Sequence, residues 1–112
     1  MIFSILLGKL KIEFIMLLGN EIKSLRDEQG ILQRQVAAYL EIDTPMFSKI
    51  ERGDRRAKRS QVPKLAEYFH VDEKELLTLW LADRILDAIE GEKELQFRAI
   101  EVAKHELTKA DL

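Results

Sequence analysis

Seven basic residues, Lys49, Arg52, Arg55, Arg56, Lys58, Arg59 and Lys64, fall within sixteen positions and are opposed only by Glu51 and Asp54, so segment 49–64 carries +5. A run of this kind suits closely spaced phosphates, because each cation placed on a phosphate releases a condensed counterion. Taken alone, it would be an ordinary solvated loop. Its opposite is segment 72–94, where eight acidic residues against three basic ones give −5. The two nearly cancel within a formal net charge of −2. That total would argue against a polyanionic partner only if the charge were evenly spread, and it is polarised along the chain.

Other chemistries find little support. His70 and His105 are the only histidines. Glu101 and His105 lie one helical turn apart, the start of a metal site, but no second pair at matching spacing accompanies them. With no cysteine, a disulfide scaffold, a thiolate metal site and a cysteine nucleophile are excluded. No Gly-rich phosphate loop, serine nucleophile motif or catalytic carboxylate pair is present. The expectation is a protein without catalytic residues, metal or cofactor.

The chain has 112 residues, 46% of them hydrophobic, with five glycines and two prolines. One domain fits this length, and too few turn residues are present for a β-sandwich or a disordered linker. From Met16 the apolar spacing is helical. Leu18, Ile22 and Leu25 share one face, and Gly30 stops that helix. Val36, Ala37 and Leu40 mark a short second helix from about Gln33. Asp43 is a good N-cap for a third, with Pro45 tolerated in its first turn. Phe47 and Ile50 face inward there, and Gly53 ends it. After the charged loop 54–59, Ser60 is expected to cap a fourth helix with Val62, Leu65, Ala66 and Phe69 inward. Asp72 with Glu75 resembles a capping box opening a fifth helix to about Ile89. A sixth is expected from about Glu94 to Leu107, with Phe97, Ile100 and Leu107 in one stripe.

The second and third helices are short and tightly joined, which suits a steep crossing, the helix-turn-helix arrangement. Such a unit holds its second helix where it can enter a major groove about 12 Å wide. Gln33-Arg34-Gln35-Val36-Ala37, Ser48-Lys49-Ile50-Glu51-Arg52-Gly53 and Lys64-Leu65-Ala66-Glu67 agree at several spaced positions with one family. Over about residues 17–78 the chain resembles the phage-repressor-type helix-turn-helix family, also called the xenobiotic-response-element family of bacterial and phage regulators.

The resemblance implies an all-α protein: a five-helix repressor-type DNA-binding domain carrying a C-terminal helical extension. It implies a cytoplasmic, sequence-specific transcriptional regulator, a repressor in the first reading, binding double-stranded DNA as a homodimer on a palindromic operator. Thr44, Pro45 and Lys49 match base-reading positions, with Met46 as an apolar neighbour. Lys49 can donate to guanine O6 and N7, and Thr44 can bond a base or touch a thymine methyl. Gln33 matches a glutamine that donates to a phosphate while helping to cap its helix. Ser48, Arg52, Arg55, Arg56, Lys58 and Arg59 complete the phosphate set. Ala37, Glu51 and Gly53 read as structural: Glu51 ties the recognition helix to its surroundings through hydrogen bonds or a basic partner, and Gly53 supplies a positive φ. The sequence departs from the family at Glu41, where the tight turn usually has Gly, and at Ala57, where the loop often has Pro.

Three segments follow. Residues 1–15 are apolar, and 9–15 alternate like a strand. They lack the features of a secretory signal and are too short and charged to span a bilayer as a helix, so no membrane partner is expected. They are open to three readings: a gene-start artefact with translation from Met16, a dimer arm, or a membrane-associated segment. Residues 16–78 are expected to form the DNA-binding domain. In 79–112 the fifth helix is apolar on more than one face, which asks for cover from the sixth helix or from a second subunit. Trp80, Leu81 and Ile85 are the expected dimer contacts. The extension could instead hold a toxin or other protein, making the chain an antitoxin, and regulation of a restriction-modification or phage-defence operon is a further setting. An adaptor that keeps the fold without binding DNA is the remaining rival, and Gln33, Lys49 and the arginine loop speak against it.

Overall fold

A computed structural model describes residues 17–110. The expectations for 1–15 and for Met16 lie outside the described residues. Within them the protein is all-helical: α1 Leu17–Gln29, α2 Gln33–Leu40, α3 Thr44–Arg52, α4 Gln61–Phe69, α5 Glu73–Ala88 and α6 Gln96–Ala110. Helices α1 to α5 pack mutually. Helix α1 lies against α3, α4 and α5, α2 against α3 and α4, and α4 against α5.

Four of these helices end in the same way. At each end a residue takes the left-handed conformation: Gly30 (φ 66°), Glu41 (φ 60°), Gly53 (φ 82°) and His70 (φ 58°). Its N–H and the next one fold back onto carbonyls of the final turn. Glu41 N–H donates to Ala38 O at 3.1 Å and Ile42 N–H to Ala37 O at 3.0 Å. These bonds satisfy carbonyls that a helix end leaves unpaired. The turn between α2 and α3 therefore keeps its left-handed shape although Glu41 is not glycine, at a local cost of roughly 1 kcal/mol.

Helix starts are more varied. Asp43 caps α3 by accepting from the Met46 N–H at 2.7 Å. At α2 it is Gln35 that reaches back, its Oε1 accepting from Leu32 N–H at 2.8 Å. Ser60 does not cap α4: its own backbone is already helical (φ −66°, ψ −19°) and its side chain makes no capping bond. Gln61 Oε1 closes that corner instead, accepting from Lys58 N–H at 2.8 Å. Asp72 caps α5 through Lys74 N–H at 2.9 Å rather than through a box with Glu75.

The core is the set of stripes these helices turn inward. Phe47, Phe69, Ile22, Leu65, Leu76, Val36 and Val62 are fully buried, each worth about 1.5–3 kcal/mol in area removed from water. The boundary expected after residue 78 falls inside α5, because Trp80 and Asp83 are still core residues. Trp80, expected at a subunit boundary, is spent within the chain: it is 6% exposed and its Nε1 donates to Ala57 O at 2.7 Å. Leu81 and Ile85, on the other side of α5, are exposed. Helix α6 contributes no buried residue, so it does not cover that side. The joint between α5 and α6 is tied by Gln96 Nε2 donating to Ile89 O at 2.9 Å.

Candidate nucleic-acid interface

Helix α3 is held from behind by one carboxylate. Phe47, Ile50 and Glu51 are its buried residues. Glu51 is 4% exposed, and an isolated charge at that depth would be expensive. Arg26 on α1 answers it with two parallel bonds, Nε to Oε2 at 2.9 Å and Nη2 to Oε1 at 3.0 Å. Gln33 Nε2, at the start of α2, donates to Oε1 at 2.9 Å. Arg26 Nη1 also donates to Ile31 O at 3.0 Å, in the α1–α2 turn. The bidentate fork fixes angle as well as distance, so α1, α2 and α3 are locked by a single group. Glu51 thus has hydrogen bonds and a basic partner, and that partner is Arg26. Gln33 is turned toward Glu51 with one amide N–H, leaving its second N–H for another acceptor.

A close approach of α1 and α3 supports the same geometry. A Cβ at Gly19 would fall 2.4 Å from Glu51 O and 2.9 Å from Ile50 O. Only a residue without a side chain allows α1 to lie so near the last turn of α3. Ala37, 1% exposed, packs in the same core.

With its inner face fixed, α3 presents Thr44, Pro45, Lys49 and Arg52 outward, and Met46 and Ser48 at half-burial. Arg52 Nη1 donates to Ser48 Oγ at 2.9 Å and Arg52 Nε to Asp54 at 3.0 Å, which straps the exposed side of the last turn. The loop that follows carries Arg55, Lys58 and Arg59 at the surface. Arg59 also lies 5.8 Å from the Trp80 ring and Arg84 5.0 Å from it, so the indole is flanked by two guanidinium groups. Arg56, at the surface as well, forms an ion pair that reaches across to Asp87 of α5.

The loop's inner side is anchored by α5. Asp83 accepts from Leu17 N–H at 3.0 Å and Leu18 N–H at 3.1 Å, satisfying the first donors of α1. Burial pushes the Asp83 carboxyl above its ordinary value, against the opposing pull of those two N–H bonds and of Arg56. Arg26, Gly19, Asp83 and Asp87 were not singled out by motif. A signal existed for two of them: Asp83 and Asp87 continue the inward stripe begun by Leu76 and Trp80, where an acidic residue must have a partner.

Away from this face, Leu81, Ile85, Phe97, Ile100 and Leu107 are exposed. Glu101 and His105 are exposed as well, and among the described residues no three metal-ligating side chains are grouped. No helix among them is long and apolar enough to cross a membrane. A family model described as a helix-turn-helix domain matches residues 17–79. No curated protein and no solved structure matches this chain.

Proposed function

Because the chain belongs to the helix-turn-helix domain family, we propose that it is a sequence-specific transcriptional regulator of the phage-repressor type, acting as a homodimer on palindromic duplex DNA. The observation that carries this reading is the exposed face of α3, held rigidly by the Arg26–Glu51–Gln33 network and followed at once by a basic loop. Base readout needs a fixed helix with free side chains, and phosphate contact needs cations flanking it.

Thr44, Pro45, Met46 and Lys49 are assigned to base edges. The second N–H of Gln33, together with Ser48, Arg52, Arg55, Lys58 and Arg59, is assigned to phosphates. The acidic segment 72–94 belongs on the side away from DNA. Repression follows if the bound dimer occludes a promoter. A protein carrying out this role works in the cytoplasm.

Dimerisation is assigned to the apolar faces of α5 and α6. Leu81 and Ile85 are 44% and 58% exposed, and Phe97 and Leu107 are 77% and 69% exposed. Apolar area of this kind on an amphipathic helix favours a partner. A second copy would place two α3 helices on half-sites about 34 Å apart. A toxin seated on the same faces is the alternative, which co-purification would reveal. Selection of bound duplexes from a randomised library tests the proposal: enrichment of a two-fold symmetric site supports it, and recovery of unselected sequence rejects it.

A further inference from the structure

Arg52, Arg55, Arg56, Lys58 and Arg59 follow one another within eight positions, and two of them pair with carboxylates: Arg52 with the neighbouring Asp54, and Arg56 with a residue of α5. Arg56 pairs with Asp87, and the two side chains are only 38% and 35% exposed. Arg55, Arg56, Ala57, Trp80, Asp83 and Asp87 are among the residues lining one cleft where the loop meets α1, α3 and α5. In that cleft Trp80 holds the Ala57 carbonyl, and Asp83 is engaged by the Leu17 and Leu18 N–H groups. Asp87, one turn further on, is the carboxylate that takes the arginine.

We infer that Asp87 is a positioning residue of the DNA interface: by holding Arg56 against α5 it withholds one cation from the loop and sets how many phosphates the loop neutralises. This rests on the loop's assignment to phosphates. Cations in such a loop add affinity that is the same on every sequence. Holding one back lowers occupancy of random DNA without touching the base-reading face of α3.

The test is the dependence of binding on salt, measured on a random-sequence duplex with the full chain. Asp87→Asn frees Arg56, so the slope of log K against log salt steepens by about 0.9 and low-salt affinity rises. Adding Arg56→Gln to that variant returns the slope to the wild-type value. The double variant separates a freed arginine from a mere loss of negative charge, because steepening caused by lost repulsion would persist in it. Arg56→Gln alone leaves the slope unchanged, whereas Arg55→Gln flattens it by about 0.9. An unchanged slope in Asp87→Asn, steepening that survives in the double variant, or flattening by Arg56→Gln alone would each overturn the inference. If Asp87→Asn does not fold by circular dichroism, the Arg56→Gln arm decides. A wild-type chain with no salt-dependent binding overturns the DNA reading itself; a wild-type slope with an inert Asp87→Asn overturns only this inference.

Discussion

Arg26 on α1 meets Glu51 on α3 through two parallel hydrogen bonds of 2.9 and 3.0 Å, with Gln33 of α2 sharing one of the same carboxylate oxygens. Twenty-five residues apart in sequence, the pair fixes the pitch at which α3 stands on the domain. Because Glu51 is almost wholly buried, Arg26→Ala leaves a charge with no counterpart and should cost roughly 3–5 kcal/mol. Urea denaturation measures it. Arg26→Met with Glu51→Leu should recover much of that loss, because both charges are then gone. A single variant as stable as wild type would contradict the role given to the pair.

Gly19→Ala should destabilise the chain despite the better helix former. The new Cβ meets two backbone carbonyls of α3 at 2.4 and 2.9 Å, and neither can swing aside. Overpacking costs typically about 1–3 kcal/mol, which outweighs a helix-propensity gain of about 1 kcal/mol. The urea midpoint should fall. A raised midpoint would mean that α1 and α3 lie further apart.

The buried Asp83 gives stability a pH dependence of definite sign. Its folded pKa is raised by desolvation, so just above the unfolded value near pH 4 the folded chain binds more protons than the unfolded one. Its contribution to stability therefore falls as pH rises through that window. Asp83→Asn cannot ionise, and the stability difference between it and wild type should drift in that direction. Denaturation in half-unit pH steps checks it, and a drift of opposite sign contradicts the assignment.

If α5 and α6 pair with a second copy, a charge placed on the exposed stripe should separate the subunits without unfolding them. Leu81→Glu combined with Phe97→Glu changes side chains that are 44% and 77% exposed, so the melting curve should hold while light scattering at micromolar protein moves to the monomer mass. A wild-type chain that is already monomeric would remove the dimer from the account.

The sequence made the helical order legible because periodic apolar residues and stop signals recur at the right intervals, and α1 to α4 lie close to where that spacing puts them. Asp43 was legible as a cap for the same local reason. Ser60 misled because a cap needs extended backbone, and here the preceding turn is already helical, with Gln61 taking the bond. Trp80 misled because α5 is apolar on two sides, and periodicity does not say which side the domain takes. Glu51 was legible as a residue needing a basic partner, but Arg26 was not nameable: pairing across two turns is set by tertiary packing. Arg56 shows the same limit within the loop, where four similar cations follow one another and only tertiary packing sets Asp87 beside this one.

In the proposed reading, α3 reads bases while the loop supplies sequence-independent affinity. The most direct test of that reading is Lys49→Ala, titrated against a library-selected duplex and a scrambled one at the same salt. A loss of about 1–3 kcal/mol is expected on the selected site, with little change on the scrambled duplex. Equal losses on both would contradict it, placing Lys49 on phosphates and leaving α3 without its charged reading residue.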